Sequence, residues 1–451
     1  MKVVIMAGGR GTRISSIASD IPKPMIKIDN KPVLEHEIEL LRDQGFTEFI
    51  ITVSHLGNMI VNYFGDGSGI SPATGKPFGV NITYYNEEAP LGNAGALFKL
   101  KDSLSDTFLL LNADAIFDVD FNRFISFHKG KKALVTLFTH PNSHPYDSGL
   151  IIADQNGVVE KWLTKEEERP EFYRNRVNAG LHVVNKSILD HAGIDEALIG
   201  MVASDTGKVV KVDLDRQLLK PLAGTGKMFC YDSPEYVKDM GTPERFYAVE
   251  KDFKAGRVHA KNLMSRQKAI FLDRDGTINK YVGFLRDIRD FELLPSIPEA
   301  IRKINASGYL CIVVTNQPVI ARGEVTREEL EEIHDKMETL LGLEGAYVDG
   351  IYYCPHHPHR GYEGEIPELK VDCTCRKPKP GMLLQAAKDF NIDLSQSYMV
   401  GDGENDVKAG LAAGCKSIMI RNEDTEYQDD HFGQADTLGS VLEFADKYLL
   451  L

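Results

Sequence analysis

Apolar positions fall into two series of short β-branched runs, separated by segments with an apolar face at helical spacing. In the first series Val3–Met6, Phe49–Val53, Phe108–Leu111 and Ala133–Phe138 read as strands, and Val33–Gln44 between them reads as an amphipathic helix. The second series begins at Lys268–Leu272 and continues through Tyr309–Val314, Gly350–Tyr353, Tyr398–Val400 and Lys416–Ile420. Strands alternating with helices predict the α/β class with a largely parallel sheet, once in each series. Between them, Glu244 to Gln267 is charged and helix-prone without a clear apolar period, which puts the boundary near residue 260. The expected division is a domain over 1–255, a linker over 256–267 and a domain over 268–451. From Asp190 to Gly226 the pattern weakens: Lys208–Leu214 reads as a candidate strand and Thr225-Gly226-Lys227 as a turn.

A chain of 451 residues exceeds what one hydrophobic core usually supports, in keeping with two domains. The net charge of −14, with Lys and Arg dispersed, argues against a nucleic acid partner. The apolar run at the start is too short for a signal peptide and no stretch reaches the length of a membrane span, so a cytoplasmic protein without a membrane partner is expected. Six cysteines are too few for a disulfide scaffold, and three of them lie close together at metal-ligand spacing.

Candidate chemistry begins directly after the first strand, at Gly8-Gly9-Arg10-Gly11-Thr12-Arg13, followed by Pro22-Lys23-Pro24. Glycines at a strand-to-helix turn let backbone N–H groups approach a phosphate, and Arg13 and Lys23 can neutralise a leaving pyrophosphate. A glycine-rich turn by itself needs only positive φ. Asp114, after the run Phe108–Leu111, and Asp239 add carboxylates able to hold Mg²⁺ against nucleotide phosphates. With Gly8, Gly9, Gly11 and Thr12 they supply the parts for attack of a sugar phosphate on the α-phosphorus of a nucleotide.

Residues 1 to about 250 resemble the sugar-phosphate nucleotidyltransferases, which include mannose 1-phosphate guanylyltransferases and glucose 1-phosphate thymidylyltransferases. The pattern G-G-x-G-T-R then P-K-P stands at Gly8–Arg13 and Pro22–Pro24. The resemblance implies a Rossmann-like domain with a mixed, mostly parallel sheet and Arg13 and Lys23 on the triphosphate. It places Gly92 and Asn93 of Leu91-Gly92-Asn93-Ala94-Gly95 on the nucleotide, Lys161 on the sugar phosphate, Asn178 on the sugar, and the metal on Asp114 and Asp239. Ala113 replaces a usual glycine and Trp162 a usual proline. Both departures bear on sugar identity, and core packing is the alternative role for Trp162.

The second candidate site follows the strand Lys268–Leu272, at Asp273-Arg274-Asp275-Gly276-Thr277. Residues two apart on a strand point the same way, so both carboxylates are expected to face one pocket. Asp273 would attack phosphorus, and Asp275 would protonate the leaving alkoxide and then activate water. Mg²⁺ would relieve their repulsion, with Asp273, Asp275 and Asp402 as ligands. Thr315 and Asn316 would bond the transferred phosphoryl group, and Arg376 and Lys377 would supply positive charge. Cys354-x-His356 and Cys373-x-Cys375 form a donor set for tetrahedral Zn²⁺ in a structural role, with His357 and His359 as alternative histidines; Cys230, Cys311 and Cys415 read as isolated buried thiols.

Residues 268 to 425 resemble the haloacid dehalogenase superfamily, and within it the heptose 1,7-bisphosphate 7-phosphatases, through Phe271–Asn279, Thr315-Asn316-Gln317, Cys354–Pro358 and Cys375–Pro378. The resemblance implies a Rossmann-like phosphatase domain with a small zinc-binding loop. Departures are Pro318 after Gln317 and Gly403 in place of a usual lysine, for which Lys408 is a candidate substitute. Together the two resemblances imply removal of the 7-phosphate from D-glycero-D-manno-heptose 1,7-bisphosphate, then nucleotidyl transfer to heptose 1-phosphate, with GTP and the α-anomer expected. Mg²⁺ is expected at both sites, and a homo-oligomer is compatible with either activity. The alternatives are a histidinol-phosphate-type phosphatase fused to a mannose or glucose 1-phosphate nucleotidyltransferase, and a phosphatase with a non-catalytic sugar-phosphate-binding module. Retention of Arg13, Lys23, Asp114 and Asp239 argues against the module.

Overall fold

The computed structural model describes residues 1–9, 14, 16–17, 20–191, 193–203, 208–421 and 435–449. It divides into two compact units: Met1–Thr139, Ile151–Trp162 and Asn178–His259 form the first, and His140–Leu150, Leu163–Val177 and Ala260–Leu451 the second.

Apart from the short antiparallel pair Lys27–Ile28 and Lys31–Pro32, the strands of the first unit are β1 (Val3–Met6), β2 (Glu48–Val53), β3 (Asn81–Asn86), β4 (Thr107–Asn112), β5 (Ala115–Asp118), β6 (Val135–His140), β7 (Leu150–Ala153), β8 (Val159–Leu163), β9 (Val177–Asn185), β10 (Met228–Asp232) and β11 (Tyr236–Asp239). The main sheet runs β8-β7-β9-β4-β1-β2-β3, with β6 joining β9 to β10. Pairings of β1 with β2 and β4, and of β2 with β3, are parallel, whereas β9 runs antiparallel to β4. Central strands are apolar on both faces because helices cover both. Helix α1 (Val33–Asp43) buries Leu34, Ile38 and Leu41 at the predicted period. Order reverses between β1 and β4, and a cleft opens at the carboxyl ends of such strands.

Lys208–Leu214, expected as a strand, is not one: Val212 N bonds to Leu91 O (2.8 Å), Ala94 N bonds to Val212 O (3.1 Å), and a π-helix follows at Leu214–Leu219. The start of the segment pairs only briefly, in an isolated antiparallel bridge of Val209 with Val202, where Val210 N bonds to Met201 O (2.9 Å). The charged stretch after Gly241 forms α2 (Pro243–Lys254), capped by the Thr242 side chain, which accepts from Arg245 N. Beyond it, the expected linker is packed. Val258 belongs to a hydrophobic cluster of the first unit with Val249 and Ile28, while Lys261 in the second unit donates to both oxygens of buried Asp349 (3.0 and 3.1 Å).

In the second unit β12 (Ala269–Leu272), β13 (Leu310–Asn316), β14 (Gly350–Cys354), β15 (Tyr398–Gly401), β16 (Lys416–Ile420) and β17 (Asp436–Leu438) form a parallel sheet in the order β14-β13-β12-β15-β16-β17. The order reverses between β12 and β15, so the loops after them flank one crevice. Helix α3 (Arg327–Leu343) starts with a capping box between Thr326 and Glu329. The excursion Leu163–Val177 is bonded to α3: Tyr173 N and O both bond Thr339 Oγ1 (2.8 and 3.0 Å), and Asn175 N bonds Glu338 Oε2 (2.7 Å). These are backbone-to-side-chain bonds, which leave no hydrophobic period in the sequence. Helix α4 (Glu404–Ala413) follows β15. Among the described residues, no helix is long and apolar enough to cross a membrane.

Candidate active sites

In the first unit a cavity of about 690 Å³ opens at the ends of β1 and β4, lined among others by Gly8, Gly9, Lys23, Gly92, Asn93 and Asp114. Strand β1 ends at Met6, and the turn after it is held by Ser54 Oγ, which donates to Gly8 O (2.6 Å). Gly11, Thr12 and Arg13 lie outside the described residues. Lys23 Nζ is 2.5 Å from Asp114 Oδ2. Asp239 stands opposite Ala115 in the antiparallel pairing of β11 with β5, which brings the two expected metal carboxylates onto neighbouring rungs. Asp239 is also held by Arg245 Nη1 (2.8 and 3.0 Å); burial opposes its charge, but Arg245 keeps the carboxyl below its usual range. Buried Glu37 is driven well above the carboxylate range by desolvation and then by the Asp114 charge.

Gly92 adopts φ +84°, and a Cβ there would lie 2.3 Å from Val212 O; the neighbouring Asn93 Oδ1 accepts from Leu214 N (2.7 Å). The loop expected on the nucleotide is therefore built against the segment that carries Lys211, a cavity-lining cation that sequence reasoning missed. Glu87, also missed, lines the cavity beside Gly8. Neither Lys161 nor Asn178 lines it: Lys161 is exposed on β8, and Asn178 Oδ1 lies 3.2 Å from His182 Nε2. Trp162, on the opposite face of β8 from Lys161, is 6% exposed in a core cluster, the packing role. Ala113 is buried and borders the cavity.

In the second unit Asp273, Asp402 and Asp406 offer carboxylate oxygens within 4.8 Å of one another. Asp273 follows β12, Asp402 follows β15, and Asp406 stands in the first turn of α4, where its Oδ2 accepts from Gly403 N (2.9 Å). Lys377 Nζ spans Asp273 Oδ1 (2.8 Å) and Asp406 Oδ1 (2.5 Å). Burial first, and the Asp406 charge second, push Asp273 up to about 7; burial and then Asp273 push Asp402 up to about 8. Three close carboxylates, Asp406 buried and Asp273 and Asp402 half-buried, with one lysine bridging two of them, are short of positive charge, and a hard divalent cation such as Mg²⁺ fits that deficit.

Asp275, expected among the metal ligands, is not in this group. Its Oδ1 accepts from Arg274 Nε (3.1 Å), Arg274 Nη2 (2.9 Å) and Asn279 Nδ2 (3.1 Å), and its Oδ2 from Arg274 Nη2 (2.8 Å) and Gln317 Nε2 (2.9 Å). Strand alternation does not extend through the motif, because β12 ends at Leu272 and the chain turns at Gly276, yet the Asp275 carboxylate stays close enough for its charge to raise Asp273. Asp406 was missed although it closes the Gly401–Asp406 motif; its position four after Asp402 on a helix start was the available signal. Thr315 Oγ1 accepts from Gln317 Nε2 (3.0 Å), and the Asn316 side chain bonds the Lys377 backbone in both directions (3.0 Å each). Arg376 Nη1 donates to His356 O (3.3 Å). Lys408, the candidate substitute for the missing lysine, pairs with Glu404 along α4.

Cys354, His356, Cys373 and Cys375 converge as expected. Their sulfurs are 3.2 to 3.5 Å apart, and His356 Nδ1 is 3.3 Å from Cys375 Sγ and 3.7 Å from Cys354 Sγ. Such separations exceed the ~2.05 Å of a disulfide and approach the ~3.8 Å edge of a tetrahedron with Zn–S near 2.3 Å. The donor set fits zinc. His357 turns to His359 O instead (3.2 Å).

The family pattern described as nucleotidyl transferase matches residues 2–255, and that described as HAD-hydrolase-like matches residues 374–442. The D-glycero-β-D-manno-heptose-1,7-bisphosphate 7-phosphatase of Haemophilus influenzae is 45% identical over 155 residues, covering 34% of this chain and 82% of that protein. Among solved structures, HddC from Yersinia pseudotuberculosis complexed with GMP-PN is 24% identical, covering 56% of this chain and 99% of that one, at a TM-score of 0.43. The D,D-heptose 1,7-bisphosphate phosphatase from B. bronchiseptica, complexed with magnesium and phosphate, is 31% identical, covering 40% of this chain and 97% of that one, at a TM-score of 0.35.

Proposed function

We propose, on the premise that the chain belongs to the nucleotidyl transferase family through residues 2–255 and to the heptose bisphosphate phosphatases further on, that it catalyses two consecutive steps of nucleotide-heptose formation. The observation that carries this reading is the joining, in one chain, of the Asp273 cluster with its bridging Lys377 to a separate cavity holding Lys23 and Asp114. The phosphatase acts first. A nucleotide sugar needs the anomeric phosphate kept, so the phosphate at position 7 is the one removed.

Asp273 attacks that phosphorus and the C7 oxygen leaves with a proton from Asp275; water, deprotonated by Asp275, then cleaves the aspartyl-phosphate. Lys377 balances charge beside Asp273. A Mg²⁺ held by Asp273, Asp402 and Asp406 would screen the carboxylates from the phosphate. In the first unit an oxygen of heptose 1-phosphate attacks the α-phosphorus of the nucleotide, and pyrophosphate leaves. Lys23, and Arg13 by resemblance, neutralise it, while Asp114 and Asp239 are the residues that would hold Mg²⁺ there. Cys354, His356, Cys373 and Cys375 are the residues that would hold a structural zinc, which would brace the loop of Arg376 and Lys377. GTP is the proposed donor and the α-anomer the proposed sugar, from the resemblance to guanylyltransferases; the curated relative's name specifies the β-anomer, which is the competing outcome.

The test is a mass-spectrometric assay with Mg²⁺, both anomers of the bisphosphate and each nucleoside triphosphate in turn. GDP-heptose formed from the α-anomer, with phosphate and pyrophosphate released, is the expected result. Phosphate release without a nucleotide sugar from any triphosphate would defeat the coupled reading.

A further inference from the structure

Arg274 is the largest side chain with no exposed surface. A guanidinium in that position needs partners for its donors, and it finds them on two sides. Nε and Nη2 grip Asp275 as a fork, whereas Nη1 lies 3.3 Å from His334 Nε2, on α3. The imidazole must accept there, which places its proton on Nδ1; that atom has no partner among the described residues. Burial and the Arg274 charge both keep the ring neutral, and Tyr353 lies against it at 5.7 Å. Nothing in the phosphoryl transfer described above uses His334.

We propose that Arg274 and His334 are positioning residues of the phosphatase step: His334 holds the guanidinium, and the guanidinium holds Asp275 in the one orientation that serves proton transfer. The inference rests on the reading of Asp275 as the acid–base group. Oδ1 already accepts three hydrogen bonds and Oδ2 two, so Oδ2 is the oxygen that gives the proton to the leaving alkoxide and takes one back from water. Gln317, which also contacts Thr315, is the donor that yields when Oδ2 is protonated, because Arg274 is pinned from behind. A carboxylate free to rotate would lose this alignment without losing substrate contacts.

The test uses the full chain with Mg²⁺ and compares heptose bisphosphate with p-nitrophenyl phosphate, whose leaving group needs no acid. His334→Leu is expected to lower kcat roughly ten- to a hundredfold with KM little changed, a part of what acid–base catalysis contributes. On the aryl phosphate it should enlarge the pre-steady-state burst, since water attack then limits turnover. His334→Gln, whose Oε1 can accept from Nη1, should restore both towards wild type. If His334→Leu does not fold, Arg274→Lys carries the test, keeping the charge while losing the fork. Equal kcat in these variants, or a loss that His334→Gln does not relieve, would overturn the positioning role. Asp275→Asn separates the premise: retained activity there would dismiss the acid–base reading itself.

Discussion

A Cβ on Gly276 would lie 2.0 Å from Asp402 Oδ2, and one on Gly401 would lie 2.5 Å from Asp406 Cγ. Both positions are closed to any side chain, and Gly276 also needs its φ of +81°. The glycine after the two aspartates is thus where a second carboxylate approaches, a reason no local pattern discloses. The Cys354, Cys373 and Cys375 thiols obey a simpler rule, because with His356 each would be one of four ligands of a tetrahedral zinc. Cys373→Ser is predicted to leave less than one zinc per chain after dialysis and to lower phosphatase activity about tenfold or more, by loosening the loop of Arg376 and Lys377. Stoichiometric zinc and full activity in that variant would dismiss the site.

At the scale of elements, the carboxyl ends of parallel strands gather the chemistry, Asp273 after β12, Thr315 and Asn316 on β13, Cys354 on β14 and Asp402 after β15. These were legible because each follows an apolar run. Helix α3 was not read for function, yet it carries His334 and Asp335. Burial first, then the Glu338 charge, push Asp335 up to about 7. Its folded pKa is raised, so between about pH 4 and 7 the folded chain keeps a proton that the unfolded chain has released, and stability falls as pH rises through that window. Asp335→Asn is predicted to flatten this slope and to stabilise the protein at pH 8 by on the order of 1–3 kcal/mol. Urea unfolding at pH 5 and pH 8 checks it; an unchanged difference between the two would mean Asp335 ionises freely in the folded state.

For the whole molecule, two chemistries in one chain should be separable. Asp273→Asn is expected to abolish phosphate release from the bisphosphate while leaving pyrophosphate release from heptose 1-phosphate and GTP near wild type, and Lys23→Ala to do the reverse. Parallel assays of phosphate and pyrophosphate decide it, and loss of both activities in Asp273→Asn would show that the sites are not independent. Apolar period and short-range spacing, being properties of neighbouring residues, disclosed the α/β class, the central strands of both sheets, the two acid-bearing turns and the clustering of Cys354, His356, Cys373 and Cys375, but not strands such as Asn81–Asn86, Val177–Asn185 and Met228–Asp232. Packing was needed to show that Asp406 joins the phosphatase cluster and that the expected Lys377 bridges it to Asp273, that Asp275 meets Arg274, that Lys211 and Glu87 line the first cavity, and that residues 140–150 and 163–177 fold with the second unit. Those choices depend on groups far apart in the chain competing for the same buried hydrogen bonds and charges, a competition that is settled only when the strands and helices have packed.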